Sequence, residues 1–319
     1  MSDGLQMFVH TLRFEALDTV SVELRSASGG DLPAFAPGSH IDLHLPNGLV
    51  RSYSLCNSAD ERHRYVVGVL HDRASRGGSR YVHDGLRVGA PITVSGPRNL
   101  FALHEGARHT VLVAGGIGVT PLLCMARRLA AIGRSFEMLY FARDGKAAAF
   151  LDELQALGMP LHLHFDSEQG GPPDLRALLS RREPDGDSHY YACGPAPMLE
   201  AFERICVELG HTNAHIERFA PMTIEAAGNA LGHYTVELRR SGRFVEVTPG
   251  KSLLDTLIAA GVEVEHSCCE GVCGSCETRV IAGEPDHRDS VLSAKERANN
   301  RSMMVCVSGC KSDTLVLDL

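Results

Sequence analysis

Residues 266–276 read HSCCEGVCGSC, and Cys306 follows well downstream. Cys268, Cys273, Cys276 and Cys306 together have the spacing C-x4-C-x2-C and then a distant cysteine, the plant-type arrangement of four thiolates around a 2Fe-2S cluster. Such a loop must wrap tightly with its N–H groups turned toward the sulfurs, and Gly271 and Gly274 permit the left-handed turns this needs. A structural zinc site is one rival, but zinc modules use two short C-x2-4-C pairs and here only Cys273 and Cys276 form one. A disulfide framework is the other. It suits short secreted chains, whereas this chain opens MSDGLQMF with no charged-then-apolar leader, so the expectation is a reducing, cytoplasmic setting. Cys269 and Cys310 lie close to the set and are read as non-ligands. A cluster of this kind accepts one electron at a time, so the rest of the chain has to account for single electrons.

A length of 319 residues implies two or three domains, and 44% hydrophobic with 22% charged residues describes an ordinary soluble chain. The net charge of −8, without a basic block, argues against nucleic acid as a partner. The longest apolar run, Val111 to Val119, is far too short to span a membrane. Sixteen histidines show no metal-ligand spacing and are read as surface and loop side chains.

Three segments follow one another. Residues 1–103 carry short strands at Val20–Arg25, His40–Leu45, Leu49–Leu55, Arg64–Leu70 and Pro91–Ser95, with glycine and proline turns between them, which predicts an antiparallel β-barrel. Residues 104–220 alternate strands (Thr110–Val113, Phe136–Phe141, Leu161–Phe165, Ser188–Ala192) with helices (Leu122–Ile132, Ala147–Leu157, Asp174–Ser180, Ala196–Leu209). That alternation predicts an α/β domain on a parallel sheet. Residues 221–232, PMTIEAAGNALG, read as a linker. Residues 233–319 return to strands at Tyr234–Arg239, Arg243–Val247, Met304–Val307 and Leu315–Asp318, with a helix at Leu253–Ala260. This is an α+β, β-grasp-like frame for the cysteine loop.

Arg51, Ser52, Tyr53 and Ser54 sit at a strand end, where an arginine can grip phosphate, a tyrosine ring can stack on an isoalloxazine and a serine can bond its N5 edge. The run from Arg76 through Gly77, Gly78 and Ser79 offers backbone N–H groups and a hydroxyl as a phosphate nest, although a plain glycine turn explains it as well. Together the two segments favour a flavin. Gly115, Gly116 and Gly118 follow a strand and open a helix, with Thr120 and Pro121 setting the first turn, so the helix start can face a pyrophosphate. The spacing is not G-x-G-x-x-G, and a tight turn remains the alternative. Cys193, Gly194 and Pro195 end the last parallel strand, at the sheet edge where open α/β sheets bind ligands. Asp144 suits a ribose 2′-hydroxyl and favours NADH over NADPH; Arg143 beside it keeps that choice open.

In this order, RSYS, RGGS, GGIGVTP, CGP and the plant-type cysteines resemble the phthalate dioxygenase reductase family, which includes vanillate O-demethylase reductases, over essentially the whole chain. The resemblance implies FMN rather than FAD, NADH as donor, and a separate Rieske-type oxygenase component as acceptor. It places Arg51, Tyr53 and Ser54 on the flavin with Gly78 and Ser79 near its phosphate, and it puts Gly116, Thr120, Asp144, Cys193 and Pro195 along the nicotinamide nucleotide. Phe219, in the segment Glu217–Phe219, is expected to cover the flavin ring. Ser54 and Cys193 are expected to assist hydride transfer from NADH. Flavin would mediate between a two-electron donor and a one-electron cluster. Glu263, Glu265 and Glu270 could steer a basic docking surface or form a solvated face. Two other readings stay open: the same electron chain serving a different monooxygenase or a cytochrome, and a redox sensor that uses the cluster as a switch.

Overall fold

The computed structural model of the protein describes residues 4–73, 76–182, 184–220 and 233–319; the expected linker, 221–232, lies outside the described residues. Two compact units result, one ending at Glu217 and the other running from Arg218 to Leu319. Among the described residues no helix is long and apolar enough to cross a membrane.

The first unit begins with a hairpin of Leu5–Ala16 (β1) and Thr19–Ser26 (β2), whose turn is made possible by Asp18 at φ 60°. Ser39–His44 (β3), Val50–Ser54 (β4), Tyr65–Leu70 (β5), the helix Gly78–Asp84 (α1), Pro91–Val94 (β6) and the short Arg98–Asn99 (β7) follow. The antiparallel path runs β4-β3-β6-β1-β2-β5, with β7 pairing β3. An isolated bridge between Leu55 and Val67 joins the two ends of this path and closes the barrel. Met7, Val22, Ile41, Leu43, Tyr65 and Val67 point inward and fill it. Burying a side chain of this size contributes about 1.5–3 kcal/mol, so the alternating inward positions fix the register.

The same unit continues into a parallel sheet built from Thr110–Gly115 (β8), Phe136–Ala142 (β9), Leu161–Phe165 (β10), His189–Cys193 (β11) and Ala214–Glu217 (β12), in the order β10-β9-β8-β11-β12. Every residue of central β8 is buried, as a strand covered on both faces requires. Val119–Ala131 (α2) covers one face through Leu122, Leu123, Met125 and Leu129, while Ala196–Leu209 (α6) covers the other through Leu199, Phe202 and Ile205. Leu151–Ala156 (α3), Asp166–Gln169 (α4) and Leu175–Leu179 (α5) complete the connections. The helix expected from Ala147 starts only at Leu151, because residues 145–147 form a separate 3-10 turn and buried Phe150 takes a left-handed φ of 60°. Phe150 packs with Thr120 against Gly68 of β5, where any β-carbon would meet them at 2.6–3.0 Å, so barrel and parallel sheet interlock directly.

In the second unit, Tyr234–Leu238 (β13), Arg243–Val247 (β14), Glu277–Ala282 (β15), Ser302–Met304 (β17) and Thr314–Leu317 (β19) form a mixed sheet ordered β14-β13-β19-β15-β17. The helix Leu253–Ala259 (α7), capped by Ser252 on the Asp255 N–H, packs Leu253, Leu254 and Leu257 into its core. Pro285–Asp286 (β16) pairs Gly309–Cys310 (β18), and Ala294–Asn299 (α8) begins with a capping box between Ser293 and Glu296. The strand expected over Met304–Val307 ends at Met304, since the chain turns there to present Cys306.

Candidate active site and metal centre

Strand register sets the first site. Cys193 of β11 lies opposite Ala114 of β8 and Glu217 of β12, so the carboxyl ends of three adjacent strands are level. The turn after β8 and the turn after β11 then pack backbone on backbone. A β-carbon at Gly118 would lie 2.1 Å from the Cys193 carbonyl oxygen, so no other residue fits there. Gly116, by contrast, faces open space at φ 53°, the approach a pyrophosphate needs. Thr120 is buried and donates to the Ile117 carbonyl at 3.0 Å, and Pro121 is buried in the first turn of α2; both act on the shape of the turn. Asp144 caps its own turn, with Oδ1 accepting from the Ala147 N–H at 3.0 Å, beside exposed Arg143. Pro195 is exposed at the start of α6.

The four residues of the RSYS motif split between two faces, as strand alternation demands. Ser52 donates to Asp42 at 2.6 Å, and Arg98 holds the other Asp42 oxygen at 2.6 Å, so Ser52 belongs to a buried polar cluster of the barrel. On the opposite face the Arg51 side chain lies across Gly78, within 2.6–2.8 Å of where a β-carbon would sit. The glycine lets the arginine side chain lie against the Gly78 backbone, where its guanidinium, which donates to the Val50 carbonyl at 2.8 Å, is part of a donor set suited to a phosphate. Ser79 Oγ accepts from the Asp72 N–H at 3.2 Å and keeps its own proton to give. Burial pushes the neighbouring Tyr53 phenol up to about 12, against the opposing effect of Arg51.

One site residue entered the sequence reading only as the start of the segment Glu217–Phe219, with no role of its own. Ser54, almost fully buried, donates to Glu217 Oε2 at 3.2 Å across 163 positions of chain. Burial pushes the Glu217 carboxyl up to about 8, and the Ser54 hydrogen bond only partly offsets that. The outcome follows from magnitudes: one hydrogen bond returns about 1 kcal/mol, while taking a carboxylate with no cationic partner out of water costs several. Cys193 is fully buried, and its thiol is raised well above its ordinary value by burial and by nearby Glu217. Ser54, Cys193 and Glu217 thus form one neutral group at neutral pH. Phe219 is 41% exposed and belongs to the second unit.

In the second unit the four expected cysteines come together in two pairs. Cys268 shares a hydrogen bond with Cys273, and Cys276 shares one with Cys306. Those contacts drive one thiol of each pair down, Cys273 to about 5 and Cys276 in the same direction, while their partners rise. Among the described residues no three His, Cys, Asp or Glu side chains converge on a point where a single ion would sit. Two pairs are what a two-iron core requires, each iron taking two thiolates, and a single tetrahedral zinc would need all four at one centre. Backbone N–H groups also face the sulfurs: Glu270 N–H reaches Cys268 at 3.3 Å, Val272 N–H also serves Cys268, and Gly271 N–H serves Cys306. Cys306 is held by its neighbour Val305, whose carbonyl accepts from Leu254 at 3.0 Å and whose N–H donates to Cys276 at 3.4 Å. Cys269 is exposed at φ 54°, and Cys310 donates to the Ser312 carbonyl at 3.0 Å.

The 2Fe-2S iron-sulfur cluster binding domain family matches residues 236–311. Phenoxybenzoate dioxygenase subunit beta of Ectopseudomonas oleovorans is 49% identical over 311 residues, covering 98% of this chain and 96% of that one. Among solved structures, phthalate dioxygenase reductase, described as a modular structure for electron transfer from pyridine nucleotides to 2Fe-2S, is 39% identical with a TM-score of 0.73; the match covers 99% of this chain and 98% of that one. An intact type IV self-sufficient cytochrome P450 monooxygenase is 38% identical with a TM-score of 0.89, and the match covers 99% of this chain but only 41% of that larger one. The chain belongs to the phthalate dioxygenase reductase family and is an iron-sulfur oxidoreductase.

Proposed function

We propose that the chain is the reductase component of a two-component Rieske-type oxygenase or demethylase, taking electrons from NADH through FMN to a 2Fe-2S cluster and delivering them singly to the oxygenase. The convergence of Cys268, Cys273, Cys276 and Cys306 within the stretch that matches a 2Fe-2S binding domain carries the reading, because such a cluster is a one-electron acceptor. The domain assignment that goes with it is flavin binding by residues 1–103, nucleotide binding by 104–220 and cluster binding by 233–319.

In this assignment Arg51 and the backbone at Gly77 and Gly78 bind the flavin phosphate, with Tyr53 against the ring. Gly116 leaves room for the nucleotide pyrophosphate, and Asp144, with Oδ1 already committed to Ala147, offers its second oxygen to the ribose 2′-hydroxyl. A bound flavin supplies exchange between a hydride donor and a one-electron acceptor. Ser54 would offer its hydroxyl oxygen to the bound rings, buried Cys193 would help keep water from them, and Glu217 holds a proton on its carboxyl up to about pH 8.

The likeness to a cytochrome P450 monooxygenase favours a second reading, the same electron chain serving a haem acceptor. Anaerobic addition of NADH to purified protein is expected to bleach its visible absorption, with released flavin running as FMN. Protein that stays oxidised with both NADH and NADPH refutes the proposal. Reduction of a P450 but not of a Rieske oxygenase decides for the second reading.

A further inference from the structure

Residues 286–300 play no part in the site described above, yet they brace the cysteine loop from beneath. The Arg288 N–H donates to Ser308 Oγ at 3.2 Å, just past Cys306. The Ser290 N–H donates to the Gly271 carbonyl at 2.8 Å, inside the loop that carries Cys268 and Cys273. That second bond falls on a peptide with two jobs. The Gly271–Val272 peptide offers its carbonyl to Ser290 and its N–H to the Cys268 sulfur, while the preceding peptide turns the Gly271 N–H to the Cys306 sulfur. Gly271 itself leaves no room for a side chain, since φ is 69° and a β-carbon would meet Val307 at 2.6 Å and the Asp289 Cα at 3.1 Å.

Asp289 holds this brace in shape. It is completely buried, its Oδ2 accepts from the Val291 N–H at 3.0 Å and the Leu292 N–H at 2.7 Å, and its backbone carbonyl accepts from Arg297 at 2.5 Å. Its other oxygen lies 3.9 Å from His287 Nδ1, and His287 Nε2 lies 3.1 Å from Asn300 Oδ1. The carboxylate therefore fixes the turn from which the Ser290 N–H reaches Gly271, and the buried residue that carries it packs its Cα and Cβ against the loop at Gly271. Hydrogen bonds to cluster sulfurs and nearby charge are the main protein levers on cluster potential, and a group in the interior is less screened than one in water.

We propose that Asp289 is a positioning residue for the cluster: it aims the Gly271–Val272 peptide at the Cys268 sulfur, and its own negative charge, acting against the effect of that hydrogen bond, lowers the reduction potential. The inference rests on the reading that Cys268, Cys273, Cys276 and Cys306 hold the cluster. No bond is made or broken when the cluster takes its electron; the added negative charge is what the carboxylate opposes.

The test is a redox titration of the intact holoprotein, followed by visible absorbance and electron paramagnetic resonance, after iron and sulfide have been assayed. Asp289→Asn keeps the shape and one acceptor oxygen but removes the charge. At a fixed poise near the midpoint it is expected to raise the ratio of reduced to oxidised cluster about tenfold, which is about 59 mV for a one-electron couple. Asp289→Ala also removes the acceptor, and is expected to lose iron to a chelator several-fold faster than the native protein. Glu265→Gln, an exposed acid close to the loop, is expected to leave both quantities alone. An Asp289→Asn protein with full iron content and the native potential overturns the inference, as does a Glu265→Gln shift of equal size. Native protein without iron or sulfide contradicts the cluster reading instead. Should Asp289→Ala not fold, Asp289→Asn alone decides.

Discussion

Glu217 is a carboxyl that the fold keeps protonated, and that has a consequence of definite sign. Its folded value of about 8 lies above its ordinary value of 4.5, so the folded state binds the extra proton between those limits and stability falls as pH rises through that window. The slope is on the order of 1.4 kcal/mol per pH unit, and it vanishes below pH 4.5 and above pH 8. Glu217→Gln keeps a neutral partner for Ser54 and removes the titration. Thermal melts from pH 5 to pH 9 are expected to show the variant gaining on the native protein as pH increases. Equal pH dependence in the two proteins contradicts the protonated state. NADH-driven flavin reduction is expected to fall above about pH 8 in the native protein and to lose that alkaline limb in Glu217→Gln, as stopped-flow absorbance would show. Glu217 left little trace in the sequence because its partner, Ser54, is 163 positions away and no local spacing joins them. The cysteines were legible for the opposite reason, since three of the four fall in one short loop.

At the scale of elements, β11 and β12 carry more than the ends that reach the site. One side-chain layer below Cys193 and Glu217, the Tyr191 ring stacks on His215 at 4.5 Å; His215 Nε2 shares a hydrogen bond with His189 Nδ1 at 3.0 Å, and the His189 ring stacks on His104 at 4.4 Å. The Tyr191 hydroxyl accepts from the His104 N–H at 2.8 Å and donates to the Ala102 carbonyl at 3.3 Å, tying the strand to the segment that leaves the barrel. His104 is exposed as expected, whereas His189 and His215 are half-buried and disfavour the protonated form. Burial lowers His215 to about 4, with His189 and His104 adding to the effect, and burial lowers His189 too. For a depressed histidine the stability is complete above its unfolded value near 6.5 and is lost as pH falls toward the folded value. His215→Phe, which keeps a ring against Tyr191 but gives up the titrating imidazole and its hydrogen bond to His189, is expected to flatten the drop in melting temperature between pH 6.5 and 4. An unchanged acid limb contradicts the role given to the stack. Several elements were invisible in the sequence for physical reasons. β1 has register shifts between Val9 and Thr11 and between Phe14 and Ala16, which break the alternation that marks a strand. α1 opens on Gly77 and Gly78 with no capping side chain, so its signals are those of a turn. β12 is only four residues long and contains the mixed run Ala214–Glu217. The parallel strands and helix α6 were legible because a covered strand is continuously apolar and a long amphipathic helix repeats its pattern over several turns.

For the whole molecule, the division of labour between the two units is the point at issue. In the proposed function the first unit takes up the hydride donor and the flavin, and the second holds a carrier of single electrons on four thiols. Cys276→Ala removes one thiol of the second pair and leaves every residue of the first unit in place. The decisive measurement compares native and Cys276→Ala protein, both loaded with flavin, for NADH-driven reduction of dichlorophenolindophenol, which takes an electron pair, and of cytochrome c, which takes one electron. The expected result is that the variant keeps most of its dye reduction and loses cytochrome c reduction by at least tenfold. Cytochrome c reduction that persists at the native rate, in a variant shown to lack iron, would contradict passage of single electrons through the cysteine loop.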